Sequence, residues 1–153
     1  MISFRILLRL AALLSVFLPT LTFGADDAAS PLGFWKNDEA TFEIFADQGK
    51  VGGKIVAMRE PRTPEGKDKT DIHNPDPSKR ERPIIGLVFM SGFTQKSNSH
   101  WENGTIYDPK TGNTYSCFMD LDGPEKIKMR GFLGISLFGR TEVWTRANDP
   151  SSK

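Results

Sequence analysis

The chain has 153 residues, with 20 Lys plus Arg against 19 Asp plus Glu and a formal net charge of +1. So even a balance excludes a global attraction to nucleic acid or to anionic lipid, and the length suits one domain with one core. Cys117 is the single cysteine, which excludes an intramolecular disulfide.

Arg5 and Arg9 precede an almost purely apolar run, Leu10 to Phe23, of 14 residues. A bilayer span needs roughly 20, so an uncleaved anchor is the poorer reading. A basic start, a short apolar core and small residues at Thr22, Gly24 and Ala25 read as a secretory signal peptide over 1–24. Cleavage after Gly24 or Ala25 leaves a domain over 25–153, periplasmic or secreted, with no integral membrane span. Losing Arg5 and Arg9 leaves 18 basic against 19 acidic side chains, a charge of −1.

The rest of the chain alternates short period-two runs with turn residues. A first strand is expected around Gly33-Phe34-Trp35 and a second over Thr41 to Ala46, although 34–48 lacks Gly and Pro and has room for a short helix. Asp47-Gln48-Gly49-Lys50 turns the chain into a strand over Val51 to Met58, where Gly52 and Gly53 signal a bulge or bend. Arg59 to Arg82 is a long polar, proline-rich loop. Pro83 to Phe93 is the most apolar strand, ended by a turn over Gln95 to Ser99. Trp101 to Tyr107 and Thr114 to Leu121 flank a hairpin loop at 108–113. Asp122-Gly123-Pro124 turns into a strand over Lys126 to Phe132. Gly131, Gly134 and Gly139 punctuate an apolar connection to a last strand over Arg140 to Arg146. Eight strands at hairpin spacing predict an all-β fold, a single small antiparallel up-and-down barrel with no free edges. Such a barrel either fills with side chains or holds one small ligand.

Candidate chemistry is sparse. In the loop, Asp76 is placed to cap a helical turn opened by Pro77, and Asn74 and Asp76 can bond their own backbone. The loop is therefore a rigid lid or a recognition site. His73 and His100 are the two histidines, and no ligand-type spacing points to a metal. No partnered nucleophile appears either, although Ser91 before Gly92 is a weak echo of one. The expectation is a non-enzyme without cofactor or metal, an enzyme using Asp71, His73 or Asp76 being the third choice. Cys117 alternates with Tyr115, Met119 and Leu121 and reads as a buried apolar thiol. Trp35, Trp101, Tyr107, Tyr115 and Trp144 lie on expected strands, as core or as the lining of a cavity. Arg130, Arg140 and Arg146 lie on the last strands, either solvated or turned inward toward an acid such as Glu142 or a ligand carboxylate.

These strings resemble a family. Gly33-Phe34-Trp35, Asp71 with Asn74-Pro75-Asp76-Pro77, Arg82-Pro83-Ile84-Ile85-Gly86-Leu87, and Trp101 with Gly104-Thr105-Ile106-Tyr107-Asp108-Pro109 are similar to the domain of unknown function 2147 family of exported bacterial proteins. So are Gly112 with Thr114-Tyr115, and Arg130-Gly131-Phe132 through Gly139-Arg140-Thr141 with Trp144 and Arg146. The resemblance implies a lipocalin-like barrel with a ligand cavity, and it carries no activity. Gly33-Phe34-Trp35 also resembles the lipocalin signature, which implies an arginine of the last strand packed over Trp35. Arg146 is the match, with Arg140 in reserve. This pairing is a structural latch.

The leading expectation is an exported protein that holds a lipid-like or other apolar small molecule in the barrel. Asp71, Asn74, Arg82, Trp101, Tyr107, Tyr115, Arg130 and Arg140 are the candidate ligand-binding residues. The alternative is a cell-envelope interaction module acting through the 59–82 loop. No nucleic-acid partner is expected.

Overall fold

The period-two segments become eight antiparallel strands in the computed structural model, which describes residues 30–152. The signal peptide expected over 1–24 lies outside the described residues. The strands are β1 (Gly33–Lys36), β2 (Ala40–Asp47), β3 (Lys50–Met58), β4 (Val88–Ser97), β5 (His100–Asp108), β6 (Asn113–Leu121), β7 (Lys126–Phe132) and β8 (Arg140–Arg146). Each pairs with the next, and β1 pairs with β8, so the sheet closes into a barrel.

Among the described residues no α-helix forms, only 3-10 turns at Pro77–Lys79 and Ser136–Phe138. The 34–48 stretch is a hairpin, not a helix. Phe42 and Ile44 bury at every second position, and the Asn37 side chain accepts from the Glu39 and Ala40 amides to set the turn. The strand expected from Pro83 begins only at Val88. Ile84 and Leu87 are buried all the same, as loop residues tied to β3 by Ile55 N to Leu87 O (3.0 Å) and Gly86 N to Ile55 O (2.7 Å). The turn expected over 95–99 shrinks to two residues because β4 continues to Ser97.

The inward faces meet in one continuous core. It includes Trp35, Phe42, Ile44, Ile55, Phe89, Met90, Phe93, Trp101, Met119, Leu121, Ile127, Met129 and Trp144. Phe42 stacks between Trp144 (4.3 Å between centroids) and Phe89 (5.1 Å) across the barrel. Gly104 leaves a space that the Phe93 ring occupies, so that a Cβ there would overlap it. The lumen is therefore filled by side chains, against the expectation of a hollow barrel that holds its ligand inside.

The two ends differ. The base carries the short β2–β3, β4–β5 and β6–β7 turns. There the Arg146 guanidinium lies 3.8 Å over the Trp35 ring. It donates to the carbonyls of Leu32 (2.8 Å), Ser30 (2.9 Å) and Pro124 (3.1 Å), while Trp35 Nε1 donates to Pro31 O at 2.7 Å. The opposite end, the mouth, carries the 59–87 connection, the β5–β6 hairpin and the β7–β8 turn.

Candidate functional site

Four candidate residues converge at the mouth. Asp71 is 0% exposed. Its Oδ1 accepts from Tyr107 Oη (2.6 Å), and its Oδ2 accepts from Asn74 Nδ2 (2.7 Å) and from Arg82 Nε and Nη2 (2.8 Å each). Asn74 Nδ2 also donates to Tyr107 Oη at 3.1 Å, its Oδ1 accepts from the Asp76 amide, and its carbonyl accepts from Arg80 Nε. Burial pushes the Asp71 carboxyl up, but the Tyr107, Asn74 and Arg82 hydrogen bonds and the Arg82 charge outweigh it and hold the group below its ordinary range. The same burial, with the bond and charge of Asp71, raises Tyr107. Every oxygen of the Asp71 carboxylate is spent within the protein. The cluster fastens the 59–87 connection to β5 and leaves no polar atom of Asp71 for a ligand.

The residues of the enzyme alternative do not meet. Asp71 faces Tyr107. Asp76 caps its own 3-10 turn, accepting from the Ser78 amide (3.0 Å) and hydroxyl (2.7 Å) and pairing with Lys79 (3.3 Å). His73 is exposed, and its carbonyl packs against the β5–β6 hairpin at Gly112.

The other candidates scatter. Trp101 is part of the core. Tyr115 is half-buried beside Gly131. Arg130 braces the β7–β8 turn, donating to Ser136 O (2.9 and 2.6 Å), Leu137 O (3.2 Å) and Thr141 Oγ1 (2.9 Å). Arg140 is exposed at the mouth. Glu142 accepts from Trp144 Nε1 (3.3 Å) and Asn37 Nδ2 (3.4 Å) rather than from an arginine.

The open space lies on the outer face. A groove of about 580 Å³ runs over β5, β6 and β7, with His100, Glu102, Ser116, Phe118, Phe132 and Ser136 among its lining residues. A smaller one of about 170 Å³ crosses the β1–β8 seam at Lys36, Asn37, Asp38, Val143 and Thr145. In the larger groove Phe118 packs between His100 (5.4 Å) and Phe132 (6.3 Å), giving a row of three rings. The His100 ring is fixed: its Nδ1 donates to Asp120 Oδ1 at 2.6 Å, and its Nε2 lies 3.9 Å from Glu102. An aromatic floor with carboxylates at one end suits a small molecule with an apolar body and a donor group. Of these residues sequence reasoning weighed only His100, and only as a metal ligand or base. The signal was present: between inward Cys117 and Met119, alternation turns Phe118 outward, and Ser116 pairs with Phe132 on the next strand.

A family described as an uncharacterized protein conserved in bacteria (DUF2147) has a sequence profile that matches residues 33–146. Among solved structures, protein HP1028 from Helicobacter pylori, described as belonging to the lipocalin family, superposes with a TM-score of 0.70. The two are 22% identical, over 79% of this chain and 85% of that one. At that identity the likeness carries the fold alone. No curated protein matches the chain.

Proposed function

The chain belongs to the DUF2147 family, and we propose that it works as an exported, non-catalytic binding protein for a small, largely apolar molecule. The proposed seat is the outer groove over β5–β7, because the lumen is occupied by the protein's own side chains. The observation that carries this reading is the groove: about 580 Å³, within the usual range of roughly 300–1,000 Å³ for small-molecule sites. Its floor is the His100–Phe118–Phe132 ring row. Two half-buried phenylalanines on an outer face contribute little to the core, and a ligand that covers them removes apolar surface from water. Glu102 and the Ser116 hydroxyl are placed to accept a polar end. Export rests on the N-terminal segment read from the sequence.

Native mass spectrometry of the chain, expressed with its own N-terminus and purified from a periplasmic fraction, tests both parts. The expected protein begins at Ala25 or Asp26 and carries an extra mass of a few hundred daltons that leaves on denaturation. Phe118→Asn and Phe132→Asn lose that mass. A bound mass that survives both substitutions, or a wild-type chain that is always empty, overturns the groove as a ligand site.

A further inference from the structure

The mouth end displays apolar surface that the core does not use. Of the nine exposed large hydrophobic residues among those described, seven lie there: Ile72, Ile85, Val88, Leu133, Ile135, Leu137 and Phe138. The β7–β8 turn is the extreme case, with Leu137 75% and Phe138 80% exposed. It is also a held shape. Arg130 ties Ser136 O and Leu137 O on one side and Thr141 on the other, so a braced backbone presents the apolar tip outward.

The turn itself carries charge of one sign. Residues 129–141 carry Arg130 and Arg140 and no acidic side chain, and Glu142, next on β8, is engaged by Trp144 and Asn37. Among the described residues no carboxylate pairs with either arginine, although Arg130 spends its donors on the turn. An exposed apolar tip flanked by unpaired arginines is the composition of a peripheral membrane contact: the apolar residues enter the headgroup boundary, and the cations meet anionic lipid. A second copy of the chain fits poorly, because a two-fold contact through this turn sets the arginines of one copy against those of the other.

We propose that the β7–β8 turn docks the barrel, mouth first, on a bilayer surface that carries anionic headgroups. The docking stands apart from the ligand reading, since it uses the tip of the turn and not the Phe118–Phe132 floor.

Vesicle flotation of the exported protein tests it, with phosphatidylcholine–phosphatidylglycerol vesicles and with pure phosphatidylcholine. Wild type floats with the mixed vesicles. The double variant Leu137→Glu/Phe138→Glu loses at least about tenfold in binding. Arg140→Gln loses about fivefold on mixed vesicles, in line with one surface cation. Leu32→Glu, an exposed apolar site at the base, binds as wild type does. Far-ultraviolet circular dichroism confirms that each variant is folded. The proposal falls if wild type stays with neither vesicle, or if the double variant floats unchanged. It also falls, in favour of a second copy, if size-exclusion chromatography shows a wild-type dimer that Leu137→Glu/Phe138→Glu splits without any change in flotation.

Discussion

Asp71 is a carboxylate out of reach of water, held by four donor atoms from Tyr107, Asn74 and Arg82. Its folded pKa lies below its ordinary value, so its stabilising contribution is complete above the unfolded value of about 3.9 and is lost as pH falls below that through the folded value. Asp71→Asn is expected to cost about 1–3 kcal/mol at neutral pH, because Tyr107 and the half-exposed Arg82 each lose a strong acceptor. Urea titrations at about pH 7 and pH 3 check the sign: the gap between wild type and Asp71→Asn narrows in acid. A gap that persists at low pH would show that shape, not charge, holds the loop. Cys117 gives a second residue-scale prediction. Burial pushes its thiol up to about 12, so native protein at pH near 8 should resist iodoacetamide, while urea-unfolded protein reacts at the ordinary thiol rate. Rapid labelling of the native state would mean that the β6 face opens readily. Sequence reasoning reached Asp71, Asn74, Arg82 and Tyr107 one by one, from the loop, the strand aromatics and the strings that carry the family resemblance. It could not see that they satisfy one another, since Asp71 and Tyr107 are 36 positions apart and only the folded loop joins them.

At the scale of elements, the strands were legible because alternation and turn residues act locally. The one displaced element, Pro83 to Leu87, shows the limit of that signal. Ile84, Ile85 and Leu87 are as apolar as a strand, yet they cover the barrel as part of the long connection, and apolar runs of this length bury in either form. The filled lumen was not legible at all. Whether a barrel is hollow depends on volumes summed across strands, such as the exchange of Gly104 on β5 against Phe93 on β4. The mouth contact between the β5–β6 hairpin and the long connection rests on Gly112, which has a φ of +72° and whose missing Cβ would land on the His73 carbonyl. Gly112→Ala combines left-handed strain with that overlap and is expected to cost about 1–3 kcal/mol. Chemical denaturation measures the loss. Hydrogen exchange should place it at residues 71–76 and 108–113, and a loss of protection spread evenly over the barrel would contradict the local contact.

For the whole molecule, closure is the property that matters, and the seam is its weak point. β1 has four residues and meets β8 in register only at Trp35 with Arg146 and Lys36 with Thr145, whereas β5 and β6 share seven register positions. A two-position ladder is little to hold a barrel shut, and an open seam would leave β1 and β8 as free edges. The side chains make up the difference. Arg146 covers Trp35 and reaches the carbonyls of Ser30, Leu32 and Pro124, tying the segment before β1, the end of β8 and the β6–β7 turn to one guanidinium. Arg146→Ala should therefore raise amide exchange in β1 and β8 by about tenfold or more, the equivalent of roughly 1.4 kcal/mol of local opening, with β5 and β6 unchanged. Arg146→Lys should recover only part of the protection, because an ammonium lacks the planar fork that spans three carbonyls and covers the indole. Equal acceleration in all eight strands would make Arg146 a contributor to global stability and not a latch. Acceleration confined to the seam would identify β1–β8 as the place where this barrel opens first.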